Sequence, residues 1–318
     1  MLIDADANSR SDSAANCWIL TDGAAGNVKQ ARVLARGLGL PSVEYIVKLN
    51  ALDRAFSPRF RRANFAALKL TPIPNALDCA FAIGCGRAGA IALDALKRAR
   101  PAVRTVQILA PRCDPARFDA IVCPAHDQLH ATNVYSMIGA LNDIDEAWLS
   151  EGQRQAQQGG AASTLLLVGA PTRNAPYTPA QFAQLLHGLD PKALCISASR
   201  RTPPAFLEII RASGARVWTG SVDGPNPYQA WLSSAARIIV TPDSVNMISE
   251  ACASYAQVEV VFSAAARGKI ALFLESLASR LKPNQLQVLP LRPTLAVIAA
   301  LGARLFAHSQ TLDKINQH

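Results

Sequence analysis

The chain has 318 residues, half of them hydrophobic, and a formal net charge of +9. This length suits one large or two medium-sized domains, and no apolar run is long enough to cross a membrane. The seven cysteines are scattered without a CxxC pair, which indicates reduced thiols in a cytoplasmic protein and disfavours a cysteine-bound metal. The positive charge favours an anionic partner, but no nucleic-acid-binding motif is present, so nucleic acid is not expected.

The first half of the chain alternates apolar strands with helical segments. Residues 1–16 are polar and predict a disordered leader. Cys17–Thr21 predicts the first strand, and a glycine-containing loop from Asp22 to Gly26 leads into a helix that Asn27 is expected to cap. Four further strands are predicted, over Val43–Val47, Cys79–Ile83, Arg104–Leu109 and Asp119–Cys123. Such alternation is typical of a parallel sheet covered by helices.

The same pattern restarts after a charged and then Gln/Gly-rich stretch over residues 142–162, which predicts a domain boundary. We expect one domain over 17–155 and a second over 160–292, with the C-terminal helix 293–318 completing the first. The strands predicted for the second domain are Thr164–Val168, Ala193–Ser197, Arg216–Thr219, Arg237–Thr241 and Val258–Phe262. The predicted fold class is α/β, with two Rossmann-like domains facing each other across a ligand-binding cleft.

The stretch Ile238–Tyr255 predicts a buried strand, a tight turn and a helix capped by Asp243 or Ser244. One face of that helix is predicted to be buried, and it consists of Val245, Ile248, Cys252 and Tyr255. Asn246 and Glu250 share another face, in line with Asp243. Free N–H groups at such a helix start attract a phosphate, and an acid further along can accept hydrogen bonds from sugar hydroxyls. The alternative is an ordinary capped turn and a solvated Glu.

Basic and aromatic residues interleave over Arg54–Arg62, in a stretch broken by proline. One interpretation is a surface loop or short helix that contacts an anionic membrane. The other is a solvated charged face with no partner.

Seven sequence blocks occur in an order that is more specific than any block alone. They are WILTDGAAGNVKQARVLARGLG, GCGRAG, ILAPR, FDAIVCPAHD, SRRTP, NPY and TPDSVNMISEA. With these blocks, over roughly residues 17–262, the chain resembles bacterial relatives of the elongated-mitochondria (mitochondrial fission ELM-type) family, which are regarded as glycosyltransferases. The resemblance implies a GT-B architecture in which the second domain holds a nucleotide-sugar donor as substrate, with no metal and no tightly bound cofactor.

The resemblance also implies roles for single residues. The donor-binding residues would be Gly26, Gly169, Arg200, Arg201, Asn226, Asp243, Ser244, Asn246, Met247 and Glu250. Ser244 and the backbone at the helix start would hold the diphosphate, and Glu250 would bind the ribose. Arg200, with Arg201 as a second cation, would neutralise phosphate charge. The loop around Asn226 would face the nucleobase.

An inverting transfer needs a general base beside the acceptor hydroxyl. The candidates are His126, Asp127 and Asp22. The imidazole of His126 titrates near neutral pH and can accept a proton, although a structural, hydrogen-bonded histidine explains it equally well.

The function that these features favour is a metal-independent glycosyltransferase. It would act on a cell-envelope glycan or a lipid-linked acceptor, in the cytoplasm or peripherally on the inner membrane. Two alternatives remain open: a non-catalytic membrane-associated scaffold that keeps a GT-B shell, and a nucleotide-sugar epimerase.

Overall fold

A computed structural model describes most of the chain, over residues 17–56, 63–73, 79–283 and 288–306. The predicted leader over residues 1–16 and the predicted helix beyond residue 306 lie outside the described residues. The chain divides into two compact units. The first comprises residues 1–122, 131–134 and 301–318, and the second comprises residues 123–130 and 135–300. The second unit thus begins earlier in the chain than the boundary expected over 142–162.

The first unit is built on a seven-stranded sheet. Its sheet and helices in chain order are β1 (Cys17–Thr21), α1 (Ala25–Gly37), β2 (Ser42–Lys48), α2 (Ala51–Phe56), β3 (Lys69–Thr71), β4 (Phe81–Cys85), α3 (Gly86–Ala99), β5 (Arg104–Ile108), β6 (Ala120–Pro124) and β7 (Val134–Met137). The last two residues of β6 and all but the first residue of β7 are assigned to the second unit. The strand order is β3-β2-β1-β4-β5-β6-β7, and β3 pairs antiparallel with β2. Neither β3 nor β7 was expected from the sequence, because runs of three and four residues show too little periodicity to be recognised.

The second unit is built on a smaller sheet of five strands. Its elements are α4 (Glu146–Gln155), β8 (Thr164–Val168), α5 (Pro179–His187), β9 (Leu194–Ala198), α6 (Pro204–Ala212), β10 (Arg216–Trp218), α7 (Tyr228–Ser234), β11 (Arg237–Val240), α8 (Val245–Cys252), β12 (Gln257–Val260), α9 (Lys269–Ser276) and the first eight residues of α10 (Pro293–Phe306). The order is β10-β9-β8-β11-β12, with every pair parallel. The predicted α/β fold class is confirmed.

Both faces of this second sheet are covered by helices. Alternate residues of β8 point to opposite sides, so that Leu165 and Leu167 join one core while Leu166 and Val168 join the other. The helices α4, α7, α8 and α9 contribute to the first core, and α5 and α6 contribute to the second. Burial on both faces explains why β8 is a continuous apolar run rather than an alternating one.

The sequence predicted helix starts correctly where the capping residues lie within a few residues of each other. Thr178 forms a reciprocal capping box with Gln181 at the start of α5, and α6 begins at Pro204, as the sequence predicted. The helical pattern gave a wrong prediction for Tyr255, which was expected to be buried but is 54% exposed. The reason is that α8 ends at Cys252, before the helical repeat reaches Tyr255.

Candidate functional site

The order of strands in the second sheet creates a switch point at β8. From β8 the chain runs outward through β9 and β10, then crosses to the other side to add β11 and β12. The helix after β8 joins one core and the helix after β11 joins the other, so the chain leaves these neighbouring strands toward opposite faces. Ligands in open α/β sheets bind at the carboxyl ends of strands that diverge in this way.

A buried carboxylate joins the two strand ends. Asp243 Oδ2 accepts the backbone N–H of Ala170 at 3.0 Å, and Oδ1 accepts the hydroxyl of Thr241 at 2.8 Å. The same hydroxyl accepts the N–H of Gly169 at 2.8 Å. The Asp243 side chain has no exposed surface, and burial raises the pKa of this carboxyl above its ordinary value. Asp243 therefore holds the loop after β8 against the turn after β11.

Because Gly169 has no side chain, the Asp243 carboxylate can occupy the space beside its Cα. A Cβ built on Gly169 would overlap both oxygens of Asp243, nearer than real Cβ atoms approach any neighbour. A glycine is needed here for close approach, which is a packing requirement that its sequence context did not reveal.

The start of α8 lies directly after this turn. Ser244 is the N-cap residue, with an extended backbone (φ −130°), and its hydroxyl accepts the N–H of Met247 at 3.4 Å. The predicted capping role is confirmed. The first N–H groups of a helix have no intrahelical acceptor and carry partial positive charge, so an anion is favoured at this position. Asn246 and Met247 are half-buried in the first turn.

Two exposed arginines follow β9 at the same edge of the sheet. The Arg201 side chain is 58% exposed, and its Nη2 lies 3.3 Å from Asp243 Oδ2. Its backbone N–H donates to the Ser199 hydroxyl at 3.2 Å, while Arg200 lies exposed beside it. Arg201 is thus tethered to the turn before α8 while most of its side chain remains open to solvent. A tethered guanidinium is a suitable partner for a phosphate.

Glu250 does not lie on an open helix face. Only 8% of its surface is exposed, and its Oε2 accepts the Tyr228 hydroxyl at 2.5 Å. The helical pattern placed Glu250 away from the buried face of α8, but this side is buried as well and is contacted there by Tyr228 of α7. Asn226, in the exposed loop before α7, accepts the N–H of Tyr228 through its Oδ1 at 3.0 Å.

In the first unit the structure corrects the expected helix cap. The helix α1 begins at Ala25 with no side-chain cap, so Asn27 lies inside the helix and Gly26 in its first turn. The Asn27 Nδ2 donates to Asp22 Oδ1 at 3.0 Å, and its Oδ1 accepts the Cys85 thiol at 3.5 Å. Asn27 therefore links the ends of β1 and β4, where the first sheet has its own switch point. Asp22 is exposed.

His126 and Asp127 follow β6 and belong to the second unit rather than the first. Asp127 forms an ion pair with Lys269 at the start of α9, and its side chain is only 6% exposed. The His126 ring packs against Phe273, with ring centroids 5.3 Å apart. Burial lowers the pKa of His126, opposed by the charge of Asp127 and supported by that of Lys269. The lowered pKa favours the neutral imidazole at pH 7, which is the form that a base requires.

The structure thus groups the predicted residues into separate sets. One set lies at the switch point of the second sheet: Gly169, Arg201, Asp243 and Ser244. A second set, Asn226 and Glu250, is joined through Tyr228. Asp22 and Gly26 belong to the first unit, and His126 and Asp127 belong to the second.

Sequence reasoning missed three participants, Thr241, Tyr228 and Lys269. Each acts through a hydroxyl or an amine whose partner is identified only by the packing of other elements. Of the predicted membrane-contacting stretch Arg54–Arg62, Arg54 is exposed in α2, and residues 57–62 lie outside the described residues.

Within the described ranges, no group of three or more His, Cys, Asp or Glu side chains is arranged to hold a metal ion. In the same part of the chain, no helix combines the length and apolar character needed to span a membrane.

Two Rossmann-like units, the second with an anion-attracting helix start at its switch point, define a protein of the GT-B fold class. The chain belongs to the mitochondrial fission ELM1 family, whose model matches residues 25–286. The family resemblance seen in the sequence blocks is confirmed.

Similar proteins occur in plants and bacteria. The chain is 30% identical to mitochondrial fission protein ELM1 of Arabidopsis thaliana over 234 residues, which are 62% of this chain and 55% of that protein. It thus spans about half the length of this plant relative. It is 26% identical to the uncharacterized protein RP120 of Rickettsia prowazekii (strain Madrid E) over 287 residues, 75% of this chain and 81% of that protein.

A solved structure resembles the chain over most of its length. The structure of MnaA from S. aureus with UDP matches with a TM-score of 0.52 and 10% identity, covering 93% of this chain and 97% of that one. At this identity the likeness shows the fold alone, and it confirms the predicted pair of Rossmann-like domains.

Proposed function

We propose that the protein is a metal-independent glycosyltransferase that moves a sugar from a nucleotide-sugar donor to a glycan or lipid-linked acceptor of the cell envelope. The observation that carries the proposal is the Ser244-capped start of α8 beside the tethered guanidinium of Arg201. Together they offer fixed backbone dipoles and a positive side chain at one strand edge. That combination stabilises the charge that develops on a leaving nucleoside diphosphate. The UDP present in the MnaA structure supports a nucleotide as the ligand of this fold.

The donor would be bound in segments along the second unit. The diphosphate would lie at the N-terminus of α8, held by its N–H groups, by Ser244 and by Arg200 and Arg201. The ribose would bind to Glu250, and the loop around Asn226 would contact the base. Asp243 and Gly169 would shape the floor of this site without touching the sugar, because the Asp243 carboxylate already bonds the protein's own backbone.

The acceptor hydroxyl needs a base to remove its proton. Of the three candidates, His126 is favoured because its lowered pKa favours the neutral imidazole at pH 7. Asp127 already neutralises Lys269, and Asp22 bonds the start of α1, so both carboxylates are occupied by contacts within their own units. In this proposal Asp127 and Lys269 support the segment that carries His126.

Thermal unfolding with nucleotides tests donor binding. We expect UDP, GDP or CMP at saturating concentration to raise the Tm, and the Arg200→Gln/Arg201→Gln variant to lose most of that increase. The matched control is Arg237→Gln, which also removes an exposed arginine, but from the amino end of β11. An equal loss in the control, or no increase with any nucleotide in the wild type, would contradict the proposal.

Product analysis separates the classes of enzyme. A glycosyltransferase releases nucleoside diphosphate only with transfer to an acceptor, whereas an epimerase converts the nucleotide sugar without one. Activity that survives EDTA is expected, because the charge on the leaving group is met by helix and arginine rather than by a metal. Loss of activity that Mg²⁺ restores would contradict the metal-independent mechanism.

A further inference from the structure

Tyr228 joins two residues of the proposed donor site. It begins α7, and its backbone N–H donates to Asn226 Oδ1 at 3.0 Å. Its hydroxyl donates to Glu250 Oε2 at 2.5 Å, from α7 to α8. One residue therefore connects the loop expected to face the base with the acid expected to bind the ribose.

The Tyr228 hydroxyl acts as a donor toward Glu250. Burial, followed by the negative charges of Glu250 and Asp143, raises the pKa of Tyr228 well above its ordinary value. The phenol therefore keeps its proton at neutral pH and does not compete with the carboxylate as a second anion.

Glu250 lies in a buried part of α8. Its surface is 8% exposed, and its chain neighbours Ser249 and Ala251 are 2% and 0% exposed. A carboxylate has acceptor sites for about four hydrogen bonds, so it can accept from more than one partner at the same time. An acceptor fixed beforehand loses less entropy on binding than one that must be ordered by the ligand.

Building on the proposed function, we propose that Tyr228 is a positioning residue that makes the site selective for ribonucleotides, by fixing the Glu250 carboxylate where it accepts the 2′ and 3′ hydroxyls. The ligand class is a ribonucleotide, free or as its sugar ester. A 2′,3′-dideoxy analogue lacks both donors and leaves the buried acid with fewer partners, which is the situation that produces strong discrimination.

The test compares each of UDP, GDP and CMP with its 2′,3′-dideoxy counterpart by calorimetry on the full chain. For whichever nucleotide binds, we expect the wild type to prefer the ribose form by about tenfold or more. Tyr228→Phe keeps the ring and removes the donor, and should reduce that preference to about twofold or less. The loss should come from weaker ribose binding, with binding of the dideoxy form unchanged.

The matched control is Tyr255→Phe. The Tyr255 hydroxyl also donates to a glutamate, Glu146, at 2.5 Å, but this pair is exposed in the same unit. The control should retain the full ribose preference. Glu250→Gln changes the acceptor of the same hydrogen bond and should also reduce the preference for the ribose form. The proposal is therefore testable even if Tyr228→Phe folds poorly.

The outcomes distinguish this inference from the proposed function. If the wild type binds none of the three nucleotides, the proposed function fails. If it prefers the ribose form and Tyr228→Phe retains that preference, or weakens both forms equally, only the positioning role is overturned. Retention of the preference by Glu250→Gln also overturns it.

Discussion

The carboxylate of Asp243 occupies the position where a side chain on Gly169 would lie. Their strands, β8 and β11, are neighbours in the second sheet, and the carboxylate also accepts the N–H of Ala170, directly after the glycine. This contact sets the shape of the turn that precedes Ser244 and α8.

Gly169→Ala should destabilise the second unit. The new methyl group cannot share the space of the Asp243 carboxylate, so the turn must shift at a cost of about 1–3 kcal/mol. Urea unfolding measures this loss, and the nucleotide-dependent increase in Tm should fall with it. Gly188→Ala is the control, because its Cβ would make only an ordinary 3.5 Å contact with the Leu185 carbonyl. Similar stability of the two variants would show that the turn tolerates the displacement.

Asp243→Asn should change how stability depends on pH. Burial raises the pKa of Asp243 above 3.8, so the folded chain holds its proton at pH values where the unfolded chain has released it. The contribution of this group to stability is therefore greatest below about pH 4 and is lost as the pH rises through the raised pKa. We expect the free energy of unfolding of the wild type, relative to Asp243→Asn, to decrease over this window in urea titrations.

Arg201→Gln tests the direction of the pH dependence that Asp243 is expected to produce. The charge of Arg201 lowers the pKa of Asp243, so its removal should raise that pKa and extend the decrease to higher pH. A wild type whose stability relative to Asp243→Asn rises with pH would contradict a raised pKa.

Asp127 and Lys269 should show energetic coupling in a double-mutant cycle. Asp127 is 6% exposed and Lys269 is 63% exposed, so the pair lies between a surface pair and a buried one. Lys269→Gln should cost about 1–2 kcal/mol, because it removes the Lys269 cation from a nearly buried carboxylate. The double variant Asp127→Asn/Lys269→Gln should be more stable than the sum of the single losses predicts. Strictly additive losses in urea unfolding would mean that the pair contributes no coupling.

The sequence by itself determined most of the longer strands, several helix starts and the family. The apolar runs of β1 and β8 were placed to the residue, since strands buried on both faces leave a continuous apolar signal. The helix starts at Thr178 and Ser244 were predictable because the cap hydroxyl and the backbone N–H that donates to it lie three residues apart. The ordered sequence blocks identified the family before any coordinate was considered.

Only the tertiary structure decided how the candidate site is held together. Glu250 is buried and bonded to Tyr228, 22 residues earlier, and Lys269, the ion-pair partner of Asp127, lies 142 residues away along the chain. The Asp243 carboxylate holds a loop 73 residues earlier, an interaction that no local pattern records. Helical periodicity and capping depend on neighbours within a few residues, whereas these contacts depend on the order of strands in the sheet. That order determines which strand ends lie next to each other. It therefore determines which of the predicted residues are available to bind a ligand and which ones hold neighbouring loops in place.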